Sequence, residues 1–153
     1  MVRVVSQYSF CLVVAMWAAS SLCGCNQGER LTEVKGTLYI GNQPAQKGAG
    51  FVTFHPDASK GNKWLEEAVG AVQPDGTYTL SAREKPGAAP GWYKVAVNYA
   101  EVIDPNNPYV SKWLMPQPEK YGDWNKSGIS IEVVEKPAAG QYDIKLPAVG
   151  EQK

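Results

Sequence analysis

The chain has one histidine, His55, and three cysteines, Cys11, Cys23 and Cys25, all near its start. A single histidine leaves multi-histidine metal sites and most histidine-based triads without their parts. After Cys25 there is no further cysteine, so the remaining chain has no disulfide and must be held by its own core. Basic and acidic side chains number 15 each, and no Lys/Arg run interrupts that balance. The electrostatic footprint of a nucleic-acid binder is therefore missing, and nucleic acid is excluded as a partner. No apolar stretch reaches the roughly 20 residues that a membrane-spanning helix needs. No segment holds the helical period of 3.6 over about ten residues, which leaves an all-helical fold without support.

What is present begins with an address. Between Met1 and Gly24 the only charge is Arg3, followed by an apolar run from Phe10 to Ala19 and the small residues Ala18, Ala19, Ser20 and Ser21. A basic start, an apolar middle and a small-residue end read as an export signal rather than a core helix. The run Leu22-Cys23-Gly24-Cys25 resembles the lipobox of bacterial lipoproteins. In that family a Leu three places before the modified Cys, and a Gly or Ala just before it, mark the cut. Cys23 stands where a small residue such as Ala or Ser is usual. The resemblance implies that Cys25 becomes the first residue and carries a diacylglycerol thioether; the alternative is an ordinary signal cut nearby that leaves Cys25 a free thiol. Two or more acyl chains anchor stably, where one gives only marginal membrane binding.

The expected division is a signal peptide over 1–24, a lipid-anchored tether over 25–33, a folded domain over 34–148 and a tail over 149–153. Residues 25–153 suffice for a single domain that buries roughly two-thirds of its unfolded surface. Asn26 follows Cys25, in place of the Asp that retains lipoproteins at the inner membrane in some bacteria. Where that rule operates it points to the outer membrane.

The domain reads as short strands. Val34, Leu38 and Ile40 alternate with Lys35, Thr37 and Tyr39, and Gly41-Asn42-Gln43-Pro44 supplies turn chemistry. Val52 and Phe54 share one face, with Phe51, Thr53 and His55 opposite, until Pro56 ends the run. Asp57–Lys63 is a polar loop, and Ala68–Gln73 a short strand of mainly small residues. Pro74-Asp75-Gly76 is a tight-turn signal leading into a strand with Tyr78 and Leu80 inward. Tyr93, Val95, Val97 and Tyr99 form the longest clean stripe. No period holds from Ala100 to Lys126, which is expected to be a long ordered loop or an excursion off the sheet. Ile129, Ile131 and Val133, then Tyr142, Ile144 and Leu146, resume the alternation. About seven short strands with turn punctuation predict an all-β fold, a seven-stranded antiparallel β-sandwich.

Several of these runs, taken in order, resemble the carboxypeptidase regulatory-like, transthyretin-like sandwich, a prealbumin-like or Ig-like Greek key. They are Val34-Lys35-Gly36-Thr37-Leu38, Val52-Thr53-Phe54-His55-Pro56, Pro74-Asp75-Gly76-Thr77-Tyr78-Thr79-Leu80 and Gly87-Ala88-Ala89-Pro90-Gly91-Trp92-Tyr93-Lys94-Val95. Lys120-Tyr121-Gly122-Asp123 and Tyr142-Asp143-Ile144-Lys145-Leu146 also resemble the small exported lipoproteins of the planctomycete type. The match spans residues 34–146. It implies an extracytoplasmic accessory module without catalysis and without a cofactor.

Candidate chemistry is sparse. His55 faces away from Val52 and Phe54 by alternation and is expected to be solvated. Transthyretin-like hydrolases, the remote alternative, use more histidines and a Tyr-Arg-Gly-Ser-type C-terminal signature where this chain reads Gly150-Glu151-Gln152-Lys153. Glu66 and Glu67, being adjacent, point to opposite faces of a strand and do not converge as an acid/base pair. Asp104-Pro105-Asn106-Asn107 carries oxygen ligands in a turn, but without the spaced carboxylates of a calcium loop an Asx turn is expected and no metal site. The tryptophans Trp64, Trp92, Trp113 and Trp124 lie in or beside loops. They are expected to cap the ends of the core; as the alternative, Trp92, Trp113 and Trp124 with Tyr109 stack on sugar rings. The partners expected are a membrane through lipidated Cys25, and an envelope protein or a glycan.

Overall fold

The computed structural model describes residues 30–104, 106–107 and 110–150. Cys25, the preceding Leu22, Cys23 and Gly24, and Tyr109 lie outside the described residues. The strands are β1 (Lys35–Ile40), β2 (Gln43–Pro44), β3 (Ala49–Pro56), β4 (Ala68–Ala71), β5 (Thr77–Thr79) and β6 (Ser81–Ala82). After them come β7 (Lys85–Pro86), β8 (Gly91–Val102), β9 (Ser111–Trp113), β10 (Ser130–Val133) and β11 (Ile144–Leu146). A 3-10 turn, Ala58–Lys60, and one short helix, α1 (Pro118–Tyr121), complete the elements of the described residues.

They form an all-β sandwich. The larger sheet has the order β10-β8-β3-β4-β6-β7, with β9 also on β8; the smaller joins β11, β1 and β2, with β5 on β1. The alternation read from the sequence decides which side chains meet between them. Val52 and Phe54 of β3, Val95 and Val97 of β8, and Leu38 of β1 are all fully buried. Phe54 lies at the centre, its ring centroid 5.8 Å from that of Tyr93 and 6.5 Å from that of Tyr78 on the opposite sheet. Tyr78 brings a hydroxyl into this core and donates it to the carbonyl of Tyr142. A β-carbon on Gly36 would come within 2.3 Å of that same carbonyl oxygen, so only glycine lets β1 pass this close.

Two turns follow from their residues. Asp75 Oδ1 accepts from the Thr77 amide at 2.9 Å and from its hydroxyl at 2.7 Å, while Gly76 takes a φ of 84°. This Asx turn opens a hairpin in which Val72 bridges Tyr78 and Val69 faces Ser81. Between those two contacts the chain leaves the larger sheet, because Thr77–Thr79 pairs instead with Lys35–Thr37 of β1. The β6–β7 turn holds Arg83 and Glu84 at φ of 46° and 66°, the left-handed pair that a two-residue hairpin requires.

One pairing departs from the antiparallel expectation: β11 runs parallel to β1, with Leu38 opposite Ile144. Val133 of β10 lies opposite Gly91, at the end where β1 begins. The crossover to the other sheet therefore delivers β11 in the direction of β1. The Ala100–Lys126 segment is also more regular than its sequence suggests. β8 continues to Val102 and β9 folds back on it, Ala100 opposite Trp113 and Val102 opposite Ser111. All three β9 residues are exposed, so no alternation betrayed the strand. Beyond β9, Met115 is buried and its sulfur accepts the Tyr99 amide at 3.3 Å.

Candidate functional site

The outer face of the larger sheet gathers the polar and aromatic residues that the sequence singles out. Directly opposed residues in an antiparallel pair project to the same face. The register sets His55 opposite Lys94, Thr53 opposite Ala96, Glu132 opposite Trp92 and Ala100 opposite Trp113. One face thus carries Trp92 near one end of β8, His55 and Lys94 further along, and Trp113 near the other end.

At the centre of this face His55 stays partly exposed, as expected, but its imidazole is held by two partners. Its Nδ1 lies 2.6 Å from Glu67 Oε1, and its ring stacks on Trp124 at 3.9 Å between centroids and 11° between planes. Lys94 Nζ stands 5.2 Å above the other ring of the stack, that of Trp124. Glu66 turns away and pairs with Arg83, which holds its carboxyl below the usual range. The two glutamates diverge, as their adjacency on an extended chain dictates. Asp123 supports Trp124: its Oδ1 accepts the Asn125 amide at 2.8 Å, and that bond, with the Lys126 ammonium at 3.1 Å, keeps its carboxyl ionised to lower pH.

Nearer the start of β8, Lys60 Nζ lies 4.0 Å from the Trp92 ring centroid and donates to Ser130 Oγ at 2.8 Å. Lys60 is held there by the 3-10 turn, which Asp57 caps. The Asp57 carboxylate is 4% exposed and takes the Ser59 hydroxyl at 2.6 Å, the main cause of its lowered pKa.

At the far end stands Trp113. It is 48% exposed, so it does not cap the core; Trp64, Trp92 and Trp124 are half-buried and likewise lie outside it. The reason is the register, which turns Trp113 outward with Ala100. Its ring forms one wall of an open groove of about 430 Å³ whose other wall is Gln117, Pro118, Glu119 and Lys120. Gln117 enters α1 with a φ of 44°, a left-handed conformation that a side chain rarely adopts.

No protein-family model matches the chain, and no curated protein or solved structure does either.

His55 meets a carboxylate and an aromatic face, an arrangement that orients an imidazole. Among the described residues no group of three or more His, Cys, Asp or Glu side chains is arranged to hold a metal ion. Asp104 forms an Asx turn, its Oδ1 accepting the Asn106 amide at 2.9 Å. Trp113 offers a flat apolar surface beside an amide, a carboxylate and an ammonium, a combination suited to a ring that is apolar on its face and hydroxylated at its edge. The sequence marks Trp113 as a candidate binding residue, but marks none of Gln117, Glu119 and Lys120 as its groove partners. The hairpin that brings them to it was hidden by the missing alternation in β9.

Proposed function

We propose that this chain is a non-catalytic binding domain held at the bacterial cell envelope by a lipid on Cys25, of the carboxypeptidase regulatory-like kind. The observation that carries the anchor is Leu22-Cys23-Gly24-Cys25 at the end of an apolar segment that has one basic residue before it. The position of the first strand supports it. Nine peptide steps separate Cys25 from Val34, about 30 Å at full extension, so the domain stays beside the membrane that holds it.

A second reading names what is bound, and the exposure of Trp113 favours it. Trp113, left 48% exposed, presents its ring to an open groove and forgoes the burial that Phe54, Tyr78, Tyr93 and Tyr99 find in the core. Stacking on a sugar ring recovers that burial, and Gln117, Glu119 and Lys120 supply partners for the ring hydroxyls. The test is titration with soluble envelope polysaccharide and peptidoglycan fragments, followed by tryptophan emission. A saturable change that Trp113→Ala abolishes supports this reading. No change with any glycan, or one that persists in Trp113→Ala, contradicts it and leaves the anchored domain without this ligand class.

A further inference from the structure

The end of the sandwich that receives the N-terminal segment also carries the most exposed of its large apolar side chains. Thr32 exchanges backbone hydrogen bonds of 2.8 and 2.9 Å with Ala88, shortly before β8 begins. At that same end the connection from β3 to β4 projects. Its base is fixed: the Asp57 amide donates to the Trp92 carbonyl at 2.9 Å, and Asn62 donates to the same oxygen at 2.8 Å. Asn62 Oδ1 also accepts the Trp64 amide at 3.0 Å. On this rigid base stands Lys63-Trp64-Leu65. Leu65 is 90% exposed. The Trp64 indole Nε1 is covered and has no hydrogen-bond acceptor within the protein. Beside it opens a hollow of about 210 Å³ bounded by Lys63, Leu65, Glu66 and Arg83.

A leucine this exposed beside a lysine calls for a surface that has apolar depth and anionic groups above it. From Ala58 to Leu65 the loop has two lysines, and the carboxylates that flank it, Asp57, Glu66 and Glu67, are engaged by Ser59, Arg83 and His55. The covalent geometry says which surface is near. Cys25 is five residues before Arg30, a reach of at most about 18 Å, and the chain enters the sandwich at this end. The opposite end of β8 is about 36 Å away at strand spacing, out of reach of the same tether.

We infer that the Lys63–Leu65 loop seats the domain on a phospholipid surface, an inference that rests on the lipid-anchor reading. Leu65 enters the acyl boundary, and Lys63 meets anionic headgroups. Trp64, half-buried beside Leu65, then lies at headgroup level, the interfacial position for which tryptophan is suited. Because one leucine and one tryptophan bind a membrane weakly, the loop orients the domain and the anchor retains it. The seat leaves the Trp113 groove facing away from the bilayer.

The test uses the acylated full-length protein carrying Leu65→Cys, labelled with a polarity-sensitive dye, on phosphatidylethanolamine/phosphatidylglycerol vesicles. Ile103→Cys, at the far end of β8, is the reference. The expected result is a blue-shifted Leu65 label whose quenching by aqueous iodide is several-fold weaker than that of the Ile103 label. Equal quenching of the two labels on vesicle-bound protein overturns the seat and leaves the anchor standing. An intact mass showing unmodified Cys25 overturns the anchor instead. The seat falls with it, because the loop alone does not hold the domain on a bilayer.

Discussion

His55 and Trp124, 69 positions apart, stack face to face at 3.9 Å on the outer side of the larger sheet. The stack ties the segment after α1 to β3 without any backbone pairing between them. Glu67 fixes the imidazole from one side and Lys94 stands over the indole from the other. A double-mutant cycle with His55→Ala and Trp124→Ala is expected to give a coupling of about 0.5–1.5 kcal/mol in urea unfolding. Additive effects would show that the two rings are neighbours without energetic connection.

The core makes a sharper demand. Phe54 is fully buried between Tyr93 and Tyr78, so Phe54→Ala is expected to cost about 3–5 kcal/mol. Tyr78→Phe keeps the ring but leaves the Tyr142 carbonyl without its donor, at a cost of about 1–3 kcal/mol. Both are read from denaturation midpoints at constant slope.

Trp113 is expected to behave in the opposite way. Its ring contributes no core contact, so Trp113→Ala should change stability by no more than about 0.5 kcal/mol while removing any glycan response. Its emission in the intact protein should be readily quenched by acrylamide. A loss of several kcal/mol would return Trp113 to the role of a core cap.

Acid should weaken the fold in a defined direction. The Asp57, Glu66, Asp75 and Asp123 carboxyls are all held below their ordinary values: Asp57 by the Ser59 hydroxyl, Glu66 by Arg83, Asp75 by Thr77, and Asp123 by the Asn125 amide. Their contribution is fully present above the unfolded carboxylate range, about pH 4–5, and is lost as pH falls through the lowered folded values. The urea midpoint is therefore expected to fall between pH 6 and pH 3. Asp57→Asn should flatten part of that fall. At the alkaline side, burial raises the Tyr78 and Tyr93 phenols, so their contribution holds below about pH 10 and is lost above it.

Much of the sandwich was legible because period-2 alternation is a direct record of burial. The stripe Tyr93, Val95, Val97 and Tyr99 is 0–1% exposed throughout, and Pro74-Asp75-Gly76 forms the turn its chemistry requires. What escaped detection depends on register between distant strands. The parallel course of β11 follows from where β10 ends, which no local pattern records. The His55–Glu67 contact follows from Phe54 standing opposite Ala68, and only the pairing of β3 with β4 sets that. Trp113 has the composition of a core residue and the register of a surface one. Tertiary pairing decided between them.

Intact-mass analysis of the N-terminal peptide from membrane-fraction protein decides the proposed lipid anchor on Cys25. The expected result is a mature chain beginning at Cys25, with a diacylglycerol thioether and an acylated amine, and no membrane retention after Cys25→Ala replacement once the signal segment is removed. A mature N-terminus at another residue, or an unmodified Cys25 thiol, would contradict it.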